Sequence, residues 1–548
     1  MVTWADVVKW DIEPVLDARH QVQTAEGAMQ NNGEVIERAH QDFSSEGLAA
    51  YAASTSLEEV FKDIDFVEAQ LTDLLTALQS ATSRLNELVR RVKGALDYAV
   101  DERLRILDDG TVEFTEQIWN DARAEAAQMP QPQPDPHGNY YPQLEGTGTY
   151  SRASAAKEQL EKEVSTILTS AKEIDRDLVM TCERIQDSRA SKQSIDMSSG
   201  EFSSAHLAEL LTGYKTPSDI RALWDALSPH EQQLLVADYP KLVGSTNGIP
   251  FHTRGAVNEQ LAANRAKELD ERAAALDEEI GKLEEGTFEY LLLLREKEKL
   301  EAERDYLIKI VDSPERTFIL FEPENNRIIE QNGTLSKFTT ELYTHVPGTG
   351  TSYNSFIDGS ATAFPRSVVA ESMEDDPHSD FTTFTFMDGG NGKSNAWMSW
   401  GFGETGNANA NHLTSRGHDL EEFQNALNQE EISNFADFNV GGHSAGQSVV
   451  FASENAGAYY DQVNSFSGSY APGNWQPNLS TAYDHYYYEP EPLNLFVIGD
   501  APSPADSPVF QQHAYPGTDP LGNHTRTNAD ASENGAIVLQ FINECRSS

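Results

Sequence analysis

Val60, Ile64, Val67, Leu71, Leu74, Leu78, Ala81, Leu85, Leu88 and Val92 follow one another at alternating intervals of four and three residues. That spacing puts an apolar side chain on the same helical face at every turn, so it predicts a long helix with an a/d seam. A second seam runs through Leu160, Val164, Ile167, Ala171, Ile174, Leu178, Thr181 and Ile185, and a shorter one through Leu269, Ala273, Leu276, Ile280 and Leu283. Between the first two seams stand Pro130, Pro132, Pro134 and Pro136. Proline lacks the backbone donor and fixes φ, so residues 129–138 read as a break between successive helices. Ordinary helix-core packing explains the seams more simply than a dedicated partner-binding coiled coil. Further helix starts are marked at Thr216-Pro217-Ser218-Asp219 and Ser228-Pro229-His230-Glu231, where a hydroxyl cap precedes Pro and an acid follows.

Beyond about Asp312 the period changes. Residues 317–321, 341–346, 381–387, 435–440, 461–466 and 493–498 are short β-rich runs, and helical patterns at 420–427 and 447–454 intervene. Strands alternating with helices predict a mainly parallel sheet covered on both faces. With 548 residues, the chain also exceeds the length at which one core normally suffices. The expected fold is therefore multidomain: a long-helix bundle or coiled-coil region over 1–200, a helical connector and long helical hairpin over 201–312, and an α/β domain over 313–548.

Acidic residues number 88 against 40 Lys and Arg, giving a formal charge of −48. A surface this negative repels phosphate backbones and anionic headgroups, so no nucleic-acid partner is expected. Cys182 and Cys545 are the two cysteines, too few for a disulfide framework or a multi-thiolate zinc site. No metal or cofactor is expected. The first residues, with Asp6, Lys9, Asp11 and Glu13, lack the pattern of a signal peptide. The densest apolar run, 290–294, is far too short to span a bilayer. A soluble chain without a transmembrane segment is the expectation, either cytoplasmic or exported without a conventional signal.

The sharpest local pattern is Gly442-His443-Ser444-Ala445-Gly446, preceded by a strand-like run and followed by an apolar helical one. A nucleophile elbow needs small residues two before and two after the serine, because the strand-to-helix turn leaves no room for side chains there. A serine nucleophile also needs a base and a carboxylate to orient it, expected downstream in the order Ser, acid, His. Asp506 is the favoured acid, with Asp500 as the alternate; His524, ahead of the final helix, is the favoured base, with His513 as the alternate. His443 adjoins the serine, and neighbouring side chains at a sharp turn point apart, so it reads as a packing or pocket-lining residue. The oxyanion needs two preplaced amides. Ala445 follows the nucleophile, and Gly348 and Thr349 lie in the glycine-containing loop after residues 341–346. A phosphate loop is excluded there because no Gly-Lys-Ser/Thr closes the motif. The loop at 387–392 lines the pocket or makes an ordinary turn.

These residues resemble a known family. Thr3-Trp4-Ala5-Asp6-Val7, the stretch from Trp224-Asp225-Ala226 to Gln233, the stretch from Pro240-Lys241-Leu242 to Gly248-Ile249-Pro250, Val346-Pro347-Gly348-Thr349-Gly350-Thr351 and the Gly-His-Ser-Ala-Gly elbow are similar to actinobacterial α/β-hydrolases with a long helical N-terminal region, associated with type VII secretion. The resemblance implies an α/β-hydrolase catalytic domain with nucleophile Ser444, acid Asp506, base His524 and an oxyanion loop at Val346-Pro347-Gly348-Thr349-Gly350. The helical part likewise resembles proteins exported by type VII machinery, and Tyr98-Ala99-Val100-Asp101-Glu102 matches their export signal, as does 141–145. The expected activity is that of a serine esterase on a small-molecule or lipid ester. The helices are expected to serve export, pairing with a secretion-system or helical protein partner, or capping of the domain. A non-catalytic interaction protein and an amidase or peptidase on the same triad are the rival expectations.

Overall fold

A computed structural model describes residues 2–41, 48–129, 144–191, 204–213, 216–227, 229–376, 379–389, 409–430, 432, 436–495 and 503–546. The chain forms two compact units, one of residues 1–201 with 478–480 and one of 202–477 with 481–548.

In the first unit the long helices are α1 (Glu13–Gln41), α2 (Leu48–Asp101) and α4 (Gly148–Ser191). A small antiparallel hairpin of β1 (Leu104–Ile106) and β2 (Val112–Phe114) and the helix α3 (Glu116–Ala126) stand between α2 and α4. The described parts of the first two predicted seams lie in its core: Leu85, Leu88 and Val92 of α2 bury against Leu160, Val164 and Ile167 of α4. The two helices run antiparallel, tied by Arg91 to Glu163 at 2.8 Å and Arg84 to Asp177 at 2.8 Å. The proline-rich break, from residue 130 to 143, lies outside the described residues, as does most of 141–145. Tyr98 lies near the end of α2, where its hydroxyl bonds Gln159 Oε1 at 3.2 Å.

The second unit opens with short helices. One is Pro217–Ala226, whose cap Thr216 accepts the Asp219 amide as its sequence predicts. A long hairpin of α5 (Phe251–Ile280) and α6 (Phe288–Val311) comes next. Then come β3 (Arg316–Glu322), β4 (Arg327–Asn332), β5 (Glu341–Val346), α7 (Ala363–Asp375), β6 (Phe381–Asp388), α8 (Ala410–Leu427), β7 (Asp437–His443) and α9 (Gly446–Ala456). β8 (Gln462–Phe466), β9 (Ala482–Glu489), β10 (Gln511–Pro516), α10 (Pro520–Arg526) and α11 (Ala531–Cys545) complete it. The strands form one sheet in the order β10-β9-β8-β7-β5-β6-β4-β3. It is mixed but mostly parallel, because only β4 runs against its two neighbours.

Both faces of the sheet are buried, as a parallel sheet requires. On one face Leu342, Phe438, Val440 and Val463 meet Leu420 and Phe423 of α8, Val449 and Val450 of α9, and Phe251. On the other, Tyr343, Phe466, Tyr486 and Tyr488 meet Phe364 and Val368 of α7 and Ile537 and Phe541 of α11. No helix among the described residues is long and apolar enough to cross a membrane.

Three features differ from the sequence reading. The expected strand over 493–498 is a 3-10 turn at Leu493–Leu495, and 496–498 lie outside the described residues. Its place in the sheet is taken by β9, a tyrosine- and histidine-rich run whose Tyr483 faces one core while Tyr486 and Tyr488 face the other. Residues 202–312 do not form a separate connector. Phe251 fills the sheet core, and Asn258 Nδ2 donates to the carbonyls of Phe318 and Gly244 at 3.1 and 3.0 Å.

Candidate active site

Ser444 sits where β7 turns into α9, with φ at +52°. A non-glycine residue there is strained and persists only when its surroundings hold it. They do: its amide donates to Phe466 O at 3.1 Å, and its carbonyl accepts from the amides of Ser469 at 2.9 Å and Gln447 at 3.1 Å. The flanking glycines are required by contact. A Cβ on Gly442 would fall 2.3 Å from Gln447 N, and one on Gly446 would fall 2.1 Å from Val346 O. Gly446→Ala is therefore expected to push the loop after β5 off the elbow, lowering the melting temperature by several degrees and slowing reaction of Ser444 with a fluorophosphonate at least tenfold. Thermal unfolding and labelling rates on purified protein check both effects.

That loop carries Gly348 and Thr349. Gly348 packs so closely that a Cβ on it would lie 3.0 Å from both Ser444 Cβ and His443 Nδ1. Its carbonyl accepts from Thr351 Oγ1 at 2.9 Å and Thr351 N at 3.4 Å, closing a turn in which Gly350 has φ +84°. Gly348 is thus beside Ser444, Thr349 comes after it half-buried, and Ala445 directly follows the serine.

His524 lies on α10, which Asp519 caps by accepting the Gly522 amide at 3.2 Å. Its Nδ1 bonds Glu491 Oε1 at 2.9 Å, and the Glu491 side chain is fully buried. Glu491 also accepts from Leu493 N at 3.0 Å and from Ser467 Oγ at 2.6 Å. Three donors converge on one buried carboxylate, meeting the hydrogen-bonding need of a polar group taken out of water. The carboxylate on the imidazole is therefore Glu491, which corrects the sequence assignment. Asp506 is exposed in a turn where its amide bonds Ser503 O at 3.1 Å, and Asp500 lies outside the described residues. His513 is not at the elbow either. Its Nε2 bonds buried Asp484 at 2.7 Å and its ring stacks on Tyr486 at 4.6 Å, pinning the edge strand β10.

His443 joins the elbow to the His524 segment. Its Nε2 donates to the His524 carbonyl at 3.0 Å, and the two ring centroids are 5.1 Å apart. Burial, followed by the neighbouring His524, pushes His443 down to about 3, so the ring stays neutral with its proton on Nε2. His345 on β5 does the same one strand away: Nδ1 accepts the Tyr343 hydroxyl at 2.7 Å and Nε2 donates to Asn528 Oδ1 at 2.7 Å. The His524 segment is thus held from beneath by two neutral histidines. Ser444 is the half-exposed residue of this elbow, and among the described contacts its hydroxyl makes no hydrogen bond to His524. Catalytic hydrogen bonds are often long before substrate binds.

Sequence reasoning missed Glu491, Ser467 and the role of His443. A signal for the acid was present: the aromatic run of β9 stops at Glu489-Pro490-Glu491-Pro492, placing a carboxylate just past a strand's end in a segment unable to continue the ladder. Among the described residues no group of three or more His, Cys, Asp or Glu is arranged to hold a metal. A cavity of about 820 Å³ lined by Phe251, Thr317, Gln331 and Leu335 opens at the opposite, amino end of the sheet and touches none of these groups. No family model, curated protein or solved structure matches the chain.

The buried titratable groups set a pH window for stability. Burial pushes His345 and His485 down to about 4 and His443 to about 3. The unfolded chain takes up protons near pH 6.5 that the folded chain refuses, so their stabilisation is present above that pH and lost as pH falls through about 4. Glu341 acts in the opposite sense. Burial and neighbouring Asp437 push it up to about 8, so its stabilisation is present below the usual carboxylate range and lost as pH rises through about 8. Urea midpoints are expected to peak between these limits, with each group contributing on the order of 3 kcal/mol. Glu341→Gln is expected to flatten the alkaline limb alone.

Proposed function

We propose that the second unit is a serine hydrolase of the α/β-hydrolase type that cleaves acyl esters. The observation that carries this reading is the strained Ser444 at the carboxyl end of a central strand, in an elbow whose His443 bonds the carbonyl of His524, a histidine whose Nδ1 is held by a buried carboxylate. Ser444, Glu491 and His524 come one after another in the chain order of that class. Open α/β sheets place their ligands at the carboxyl ends of strands, which supports a substrate site at this rim.

Ser444 Oγ attacks the ester carbonyl while His524 Nε2 accepts the hydroxyl proton. Glu491 holds the imidazole in the tautomer that leaves Nε2 basic and stabilises the imidazolium that forms. The amides of Ala445 and of Gly348 or Thr349 bind the oxyanion. His524 then returns the proton to the leaving alcohol, and water, deprotonated by the same ring, releases the acid from the acyl-enzyme. Fluorophosphonate labelling with peptide mapping tests the assignment. The tag is expected on the peptide containing Ser444, and at a strongly reduced rate in His524→Ala. A tag elsewhere, or none on folded protein, sinks the proposal.

A further inference from the structure

The hairpin of α5 and α6 ends in the most concentrated apolar run of the chain, and that run is not buried. Phe288 is 79 % exposed, Leu291 54 % and Leu292 51 %. Residues 290–294 are apolar without interruption, so they point all around α6, and α5 can cover only part of that circumference. Helix burial resumes at Leu300, and on α5 it ends at Ala273. Past Leu276, which still packs against the core, the last turn of α5, roughly 5 Å, stands clear with the start of α6.

The hairpin points to the side of the sheet where the elbow lies. β3 is antiparallel to β4 and β4 to β6, so β3 runs in the direction of β6 and β7. α5 climbs along β3: Gly255 meets Thr317 at its start, and Arg265 bonds Glu324 just past its end at 2.7 Å. The later turns of α5 pass the carboxyl rim. There Ala266, Leu269 and Ala273 pack with Tyr353 and Phe356, the residues just after the Gly348 loop.

We propose that this hairpin end docks the protein on an uncharged phospholipid surface, with Phe288, Leu291 and Leu292 entering the headgroup region and the elbow's rim facing the lipid. Charge selects the occupant. The end carries Glu284, Glu285 and Glu289 against Lys282 on a chain of net charge −48, which disfavours both anionic lipid and a second copy of itself. Area points the same way. Three side chains expose only a few hundred Å², short of the roughly 800 Å² per partner that a stable protein interface buries, whereas shallow insertion of a few apolar residues is how amphipathic elements hold a lipid surface. The inference deepens the ester-hydrolase reading by naming a lipid-borne substrate, but its binding arm is independent of catalysis.

The full chain is sedimented with phosphatidylcholine vesicles, with phosphatidylglycerol vesicles as a second arm and light scattering for self-association. Wild type is expected to bind phosphatidylcholine, and Phe288→Ser/Leu291→Ser/Leu292→Ser to bind at least tenfold more weakly while hydrolysing a soluble short-chain ester at the wild-type rate. Leu291→Phe, which keeps the surface apolar, is expected to retain binding. Ser444→Ala is expected to bind as wild type does, so failure of the hydrolase reading leaves vesicle binding unchanged. Absence of wild-type binding, equal binding by the triple variant, binding to anionic lipid alone, or a wild-type dimer dispersed by the triple substitution each overturns the proposal.

Discussion

Ser444→Ala is expected to reduce p-nitrophenyl ester turnover by at least about 10⁴-fold, the scale on which a triad nucleophile acts with its partners as a unit. The fold is expected to survive. The turn at φ +52° is held by main-chain bonds to Phe466, Ser469 and Gln447, none of which uses the hydroxyl, and alanine meets the same backbone strain that serine already bears. Circular dichroism and thermal unfolding should therefore match wild type while turnover and fluorophosphonate labelling vanish. Retained turnover in a folded Ser444→Ala protein would falsify the hydrolase assignment.

Glu491→Gln is expected to cost about 10³- to 10⁴-fold in kcat, whereas Asp506→Asn should stay within about twofold of wild type. Glu491 accepts from His524 Nδ1, Leu493 N and Ser467 Oγ. A glutamine offers only one accepting oxygen. When its amide nitrogen faces the ring, His524 must carry its proton on Nε2, where it can no longer accept one from serine. Steady-state rates of both variants, with thermal unfolding as a control, separate the two carboxylates. A large loss from Asp506→Asn with none from Glu491→Gln would restore the acid that the sequence suggests.

Much of the fold was legible in local pattern. The seams at Leu85, Leu88 and Val92 and at Leu160, Val164 and Ile167 turn up buried against one another, because helical period depends only on residue spacing. The elbow at Gly442, Ser444 and Gly446 was legible for a similar reason, since steric exclusion at a tight turn acts on near neighbours. Strand β9 and the edge strand β10 were less so. Tyr483, Tyr486 and Tyr488 serve two different cores, and a tyrosine-rich run reads equally as surface or pocket until those cores are known.

The carboxylate on His524 shows where local reading stops. Asp506 comes after an apolar run that looks like the last strand, but residues 493–495 make a 3-10 turn, and the strand leading to the site ends at Glu489. Which carboxylate meets His524 depends on where α10 docks. That is decided by contacts between segments far apart in the chain: His443 on the His524 carbonyl, His345 on Asn528 and Asn523 on the Pro490 carbonyl.

By itself, the sequence determined the helical seams, the change of period near Asp312 and the strand-turn-helix that strains Ser444, since each arises from sterics and hydrophobic spacing within a few turns of chain. The tertiary structure decided that Glu491 faces His524, that His443 supports it from beneath and that the apolar hairpin end stands at the same rim. These depend on long-range packing, whose partners no local pattern names.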